Sequence, residues 1–119
     1  MRSAIRAVEL NGNSVESVNV DFFSSADPTG AAVSFAVTAE GTQATTSSTW
    51  VAGSWATAYG TVLNGVSSVS DPGWSTARTP TLGLNGSIAI ASVGRWWLSI
   101  KTTVGGETPI ETAAVLIVV

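Results

Sequence analysis

An all-β fold is predicted by three features of the sequence. Stretches in which apolar and polar residues alternate with the period of a half-buried strand recur along most of the chain. Turn signals built from Gly, Pro, Asn and Asp separate them at intervals of roughly 8–12 residues, the spacing of a sandwich or barrel. No helical apolar period persists for as much as three turns. Together these describe an immunoglobulin-like antiparallel β-sandwich. Residues 1–13 read as an N-terminal arm or extra strand, and residues 14–119 as a single β-sandwich domain.

Residues 3–10 fit either a short strand or an arm, and Asn11-Gly12 is a turn signal. Val18, Val20 and Phe22 alternate with Asn19, Asp21 and Phe23, which predicts a strand with one buried face. In Asp27-Pro28-Thr29-Gly30 the proline presets φ, the aspartate can accept from the backbone beyond it, and the glycine closes the turn. Val33, Phe35 and Val37 form the apolar face of a second strand, expected antiparallel to the first and ended by Glu40-Gly41. Residues 42–49 read as a Thr/Ser loop with nothing to bury.

Residues 61–63 predict a short strand ending at Asn64-Gly65, and residues 66–74, with the turn Asp71-Pro72-Gly73, a surface loop. Residues 76–84 read as a strand in which Pro80, lacking an N–H, marks an edge or a bulge. Asn85-Gly86 predicts a hairpin turn into residues 87–91. The clearest element closes the chain. Trp96, Leu98 and Ile100 alternate with Trp97, Ser99 and Lys101, and Gly105-Gly106 supplies the positive φ angles of a tight hairpin. Pro109 belongs near the start or the open side of the returning strand, and residues 113–119 are apolar on both faces, as in a strand covered on both sides.

Composition excludes several classes of function. The chain has 119 residues, enough to bury a core without disulfides or metals. It has no cysteine, which removes disulfides, thiolate metal sites and thiol nucleophiles, and no histidine, the commonest general base. Net charge is −3 with only five basic residues, a poor basis for holding a phosphate backbone. No enzyme, cofactor or metal is expected. No apolar run of signal-peptide or membrane-spanning length occurs, so the expectation is a soluble protein made in a cytoplasm.

Each candidate site competes with a plain structural role. Ser99 and Lys101 share a strand face and could form a Ser–Lys nucleophile, but an exposed polar face opposite Trp96, Leu98 and Ile100 is the better explanation of the alternation. Asp21, Asp27 and Asp71 lack the clustered spacing of a calcium loop, and two of them precede prolines as turn residues. Asn85-Gly86-Ser87 matches a glycosylation sequon but reads better as a turn. Five tryptophans are many for this length. Trp50, Trp55 and Trp74 lie in or beside loops, where a ring has least guarantee of a place in the core. These three are the candidate partner-binding residues.

One resemblance gathers the motifs together. Asp27-Pro-Thr-Gly30, then Val33-Ser-Phe-Ala-Val-Thr38, Trp50-Val-Ala-Gly-Ser-Trp55, Gly94-Arg-Trp-Trp-Leu-Ser-Ile-Lys-Thr-Thr103 and Glu107-Thr-Pro109 follow in that order. This order resembles a group of small β-sandwich virion structural proteins of tailed bacteriophages, whose genes lie among the head and neck genes. It covers most of the chain from about Val18 onward; residues 1–13 and 66–74 have no counterpart. The resemblance implies a capsid decoration protein, with the major capsid protein or another virion protein as partner. It would act as a homo-oligomer or lattice-bound copy, without direct nucleic-acid or membrane contact, and would reside in the virion after assembly in the host cytoplasm. The alternatives are a neck (head-to-tail connector) or tail protein, and a carbohydrate-binding β-sandwich module resting on the tryptophans alone.

Overall fold

The computed structural model describes residues 2–3, 5–65 and 67–119, and these are all-β. In chain order the strands are β1 (Arg2–Ser3), β2 (Arg6–Leu10), β3 (Asn19–Phe23), β4 (Val33–Ala39), β5 (Val51–Ala52) and β6 (Ser54–Trp55). There follow β7 (Thr61–Asn64), β8 (Ser67–Ser70), β9 (Trp74–Arg78), β10 (Leu82–Gly83), β11 (Ile88–Ala89), β12 (Gly94–Thr102) and β13 (Ile110–Val118). Sheet I runs β1-β3-β9-β7-β8, with β6 also paired to β9; sheet II runs β2-β13-β12-β4-β5. The short strands β10 and β11 form a separate two-stranded sheet, and Leu82 of β10 also bridges to Glu16. The arrangement is sandwich-like, because the inward faces of the two large sheets share one apolar core.

Alternation builds that core. Sheet I contributes Val20, Phe22 and Ala77, and sheet II contributes Phe35, Leu98, Ile100, Ala114 and Leu116, all nearly inaccessible to solvent. Burial of each large side chain stabilises the fold by about 1.5–3 kcal/mol. The strand β12 is hydrogen-bonded to β4 on one side and β13 on the other along most of its length.

The closing hairpin forms as its residues predict. Gly105 and Gly106 take φ of 58° and 81°, and Val104 and Glu107 exchange backbone hydrogen bonds of 2.8 and 3.0 Å across the turn. β13 begins directly after Pro109. One irregularity interrupts the ladder: Leu98 pairs with Ala114 but Ser99 pairs with Thr112, so Ala113 is an extra, bulged residue. The bulge lets Ala113 and Ala114 both be buried, and it brings Glu111 opposite Ile100. Beyond the bulge Val115 and Ile117 are half-buried on the outer face, and Val119 is exposed.

Several segments depart from the expectations. The strand β4 pairs with β12 and β5 rather than β3, so the Asp27 turn carries the chain between sheets. Asp27 Oδ1 accepts from both the Thr29 amide and hydroxyl at 2.8 and 2.6 Å, and Pro28 is buried. A connection from Ser24 to Ala32 is long enough to cross the roughly 10 Å between packed sheets, which a two-residue hairpin is not. The Thr/Ser loop does bury a side chain, Ala44. Thr112 donates to Gln43 at 3.2 Å and so ties the loop to the outer face of sheet II, where Ser99 and Ala36 are fully buried.

Within residues 66–74 the turn Asp71-Pro72-Gly73 is present, but β8 is a strand, exposed along its whole length at the edge of sheet I. Pro80 lies just beyond the end of β9. Asn85-Gly86 does not make an antiparallel hairpin, since β10 and β11 run parallel. A Cβ on Gly86 would stand 2.6 Å from the Thr81 carbonyl oxygen, and its absence lets the loop coil back on itself.

The N-terminal segment serves both sheets, because β1 lies antiparallel to β3 in sheet I and β2 parallel to β13 in sheet II. The chain crosses again at Gly53, between β5 in sheet II and β6 in sheet I. There the Gly53 amide donates to Val33 at 2.9 Å, and the backbone passes directly against the ring of Phe35. A Cβ would overlap that ring and come 2.5 Å from the Arg78 carbonyl oxygen. Gly53→Ala is therefore expected to destabilise the fold by about 1–3 kcal/mol, as overpacking does, and thermal unfolding checks it. An unchanged melting temperature would show that Phe35 yields freely.

Candidate functional site

The structure places the three candidate tryptophans at three different levels of the sandwich. Trp50 is half-buried beside the edge of sheet II, where its Nε1 donates to the Thr45 carbonyl at 3.0 Å. The Lys101 ammonium sits 4.5 Å from its ring centroid, a cation–π contact. Trp55 pairs with Ala77 and so points inward. Its ring packs against Phe22 at 6.0 Å between centroids, and its Nε1 donates to Ala31. Trp74 lies on the outer face of sheet I, paired with Phe23 and edge-on to it at 5.5 Å. The set does not form one surface. Of the remaining two, Trp96 packs against the core with its Nε1 on the Ser92 carbonyl, and Trp97 is half-buried on the outer face of sheet II.

The Ser–Lys pairing offers no nucleophile. The Ser99 hydroxyl is buried without a hydrogen-bond partner among the described residues, closed off from any substrate. Lys101 is directed to Trp50 instead. Asp27 serves its own turn, Asp21 bonds Thr76, and no group of three or more His, Cys, Asp or Glu among the described residues could hold a metal.

A polar groove on the outer face of sheet I was not anticipated. It encloses about 330 Å³, with Asn19, Asp21 and Thr76 as its floor, Ile5 and Leu63 as apolar walls, and Arg6 at the rim. Alternation on β3 directs Asn19 and Asp21 outward while Val18, Val20 and Phe22 point in. A hydroxyl relay fixes the floor. Thr57 accepts from the Thr76 amide at 2.7 Å, and the Thr76 hydroxyl accepts from the Leu63 amide at 3.1 Å and donates to Asp21 Oδ1 at 2.9 Å. Arg6 is anchored by a 2.8 Å hydrogen bond to the Asn19 carbonyl. The polar alternation on β3 was visible in the sequence; the approach of Arg6 and Leu63, distant along the chain, was not.

No family model matches this chain, and no curated protein matches it.

Two carboxyl groups depart from ordinary titration. The Thr29 hydroxyl and amide hold Asp27 below the usual carboxylate range. Burial pushes Glu111 above it, and its Oε2 has no hydrogen-bond partner among the described residues. The folded protein therefore holds the Glu111 proton more tightly than the unfolded chain does. Its contribution favours folding at low pH and is lost as pH rises from the unfolded pKa through the raised folded one. Glu111→Gln is expected to raise the melting temperature at neutral pH and to remove that part of the pH dependence. Melting curves across pH 4–8 check this, and a lower melting temperature for the variant at neutral pH would contradict it.

Proposed function

We propose that this chain is a bacteriophage virion structural protein that decorates the capsid shell, built on an immunoglobulin-like sandwich. The observation that carries the functional reading is the order of motifs from Asp27-Pro-Thr-Gly30 to Glu107-Thr-Pro109, which resembles that of small virion proteins of tailed phages. The strand order supports the immunoglobulin-like reading. In this reading β1, β3 and β9 correspond to strands A, B and E, and β4, β12 and β13 to C, F and G, with β5 beside β4 as in variable-type domains. The departure is β7, which meets β9 in parallel where strand D would be antiparallel.

The surface suits lattice attachment. Charge is sparse, and half-buried rings stand on both outer faces, Trp74 on sheet I and Trp50 and Trp97 on sheet II. One copy can therefore meet a neighbour on each side, and several weak contacts together hold it to a repeating shell. Trp55 is a folding residue in this account. A carbohydrate platform would need several rings on one face, and a glycan-binding assay that shows nothing would remove that reading.

Alanine substitutions divide the roles. Trp50→Ala and Trp74→Ala are expected to melt close to wild type but to lose binding to purified phage heads by about 2 kcal/mol or more. Trp55→Ala is expected to lose about 3–5 kcal/mol of folding stability. Normal head binding by both outer variants would overturn the attachment surface. Wild-type protein that binds tails and not heads would move the assignment to the neck or tail.

A further inference from the structure

We propose that the notch between β4 and β11 receives an extended segment of a partner protein, added as an antiparallel strand to the open edge of β4 at Val37. This inference does not rest on the virion reading. The notch encloses about 360 Å³ and is lined by Val37, Thr49, Val51, Ser87, Ile88 and Ala89. It opens where β5 ends. β5 covers β4 only at Ser34 and Phe35, and the loop before it is tied to the outer face of sheet II through Gln43.

The first observation is a strand edge with no strand beside it. The Gly53 amide donates to the Val33 carbonyl, so Val33, Phe35 and Val37 direct their N–H and C=O groups to the β5 side. That register would set Val37 opposite Thr49, yet no backbone bond joins the two among the described residues. The second observation is a matching edge on the other wall. Ile88 and Ile90 donate to the Thr81 and Gly83 carbonyls at 3.0 and 2.9 Å, so Ala89 between them turns its own N–H and C=O away from β10. Ala89 is exposed and lines the notch. An open edge of this kind is a template for another chain.

These groups select the occupant. An extended backbone offers a donor and an acceptor at the spacing of the Val37 N–H and C=O, as in strand addition to a sheet edge. An antiparallel strand exchanges both bonds with one residue, whose side chain then falls on the same face as that of Val37. Val37 packs against the core, so the incoming side chain points inward, beside Val51 and Ile88. The neighbouring residues of the added strand turn their backbone groups the other way, toward Ala89. No charged residue lines the notch, and a charged side chain there would lose water without gaining a partner. The segment therefore carries an aliphatic residue between small polar ones. The exposed edge strand of a second copy does not supply it. The Leu63 amide bonds Thr76, so β8 meets β7 through Val69 and presents Ser68 and Ser70 at its free edge. A serine, not an aliphatic side chain, would enter the notch.

The test is a two-dimensional 15N NMR titration of the whole chain with a capped pentapeptide, serine-threonine-valine-threonine-serine. A control peptide has proline in place of the central valine. The expected result is saturable shifts at the amides of Val37, Val51 and Ala89, with slower solvent exchange at Val37 and Ala89. The proline peptide cannot donate to the Val37 carbonyl and is expected to bind at least about tenfold more weakly. Ala89→Pro removes an N–H that the fold does not use, at an edge where proline is tolerated. It is expected to melt close to wild type and to weaken binding by roughly tenfold. Should that variant fail to fold, the comparison of the two peptides decides the question on the wild-type chain. Shifts confined to other surfaces, equal binding of the two peptides, or undiminished binding by a folded Ala89→Pro would each overturn the proposal. So would no shift up to the solubility limit of the peptide. Shifts at the same amides on raising protein concentration alone would also overturn it, by making a second copy the occupant.

Discussion

The fold depends on β12 being paired on both sides while one of its faces fills the core. Leu98 and Ile100 are buried to within 1% of their surface and lie at the centre of the cluster. The ladders to β4 and β13 satisfy the backbone groups that this burial takes from water. The flanking strands of sheet II are positioned by those ladders: β2 on the far side of β13, and β5 on the far side of β4. Sheet I then closes over the same core through Phe22 and Ala77, and the chain crosses between layers only where a side chain permits it, most narrowly at Gly53 against Phe35.

Close packing leaves polar groups that the core does not serve. The β-bulge at Ala113 keeps the apolar residues of β13 inward, and at the same point turns Glu111 toward the core side, where its Oε2 is unpaired. Ser99, under the covering loop, and Ser75, on the inner side of β9, are likewise buried without partners. The two serines lie in the packed body of the sandwich, closed off from solvent, whereas Glu111 is half-buried. Asn19 Oδ1 is buried in the same way beside the groove that Asp21 and Arg6 line. The same polar shortfall is thus a cost of packing in all four places.

Local pattern made the strands legible and long-range geometry did not. Trp96 to Lys101 announces β12 by strict alternation, and Gly105-Gly106 names its own turn, because both signals depend on residues adjacent in the chain. That Asp27 begins a crossing rather than a hairpin was hidden, since a turn signal does not state which sheet the next strand joins. Ala44 looked idle in a Thr/Ser loop because its burial depends on Gln43 reaching Thr112, far along the sequence. The tryptophans were legible as a set worth weighing. Their separation into an inner ring, Trp55, and two outer ones, Trp50 and Trp74, depends on register with Ala77 and Phe23 and on the position of Lys101. The groove was the least legible part, because Arg6, Asp21 and Leu63 meet only after three separate strands are in place.

The most direct test of the account is native-state hydrogen exchange resolved to single amides. If β12 is the strand on which the rest depends, the interior amides of β12 and of its partner β4 exchange only by global unfolding. The exposed edge strand β8 exchanges far faster through local opening. Amides of Leu98 and Ile100 that exchanged as rapidly as those of Ser68 and Val69, while β9 stayed protected, would place the stability of the molecule in sheet I and contradict the account.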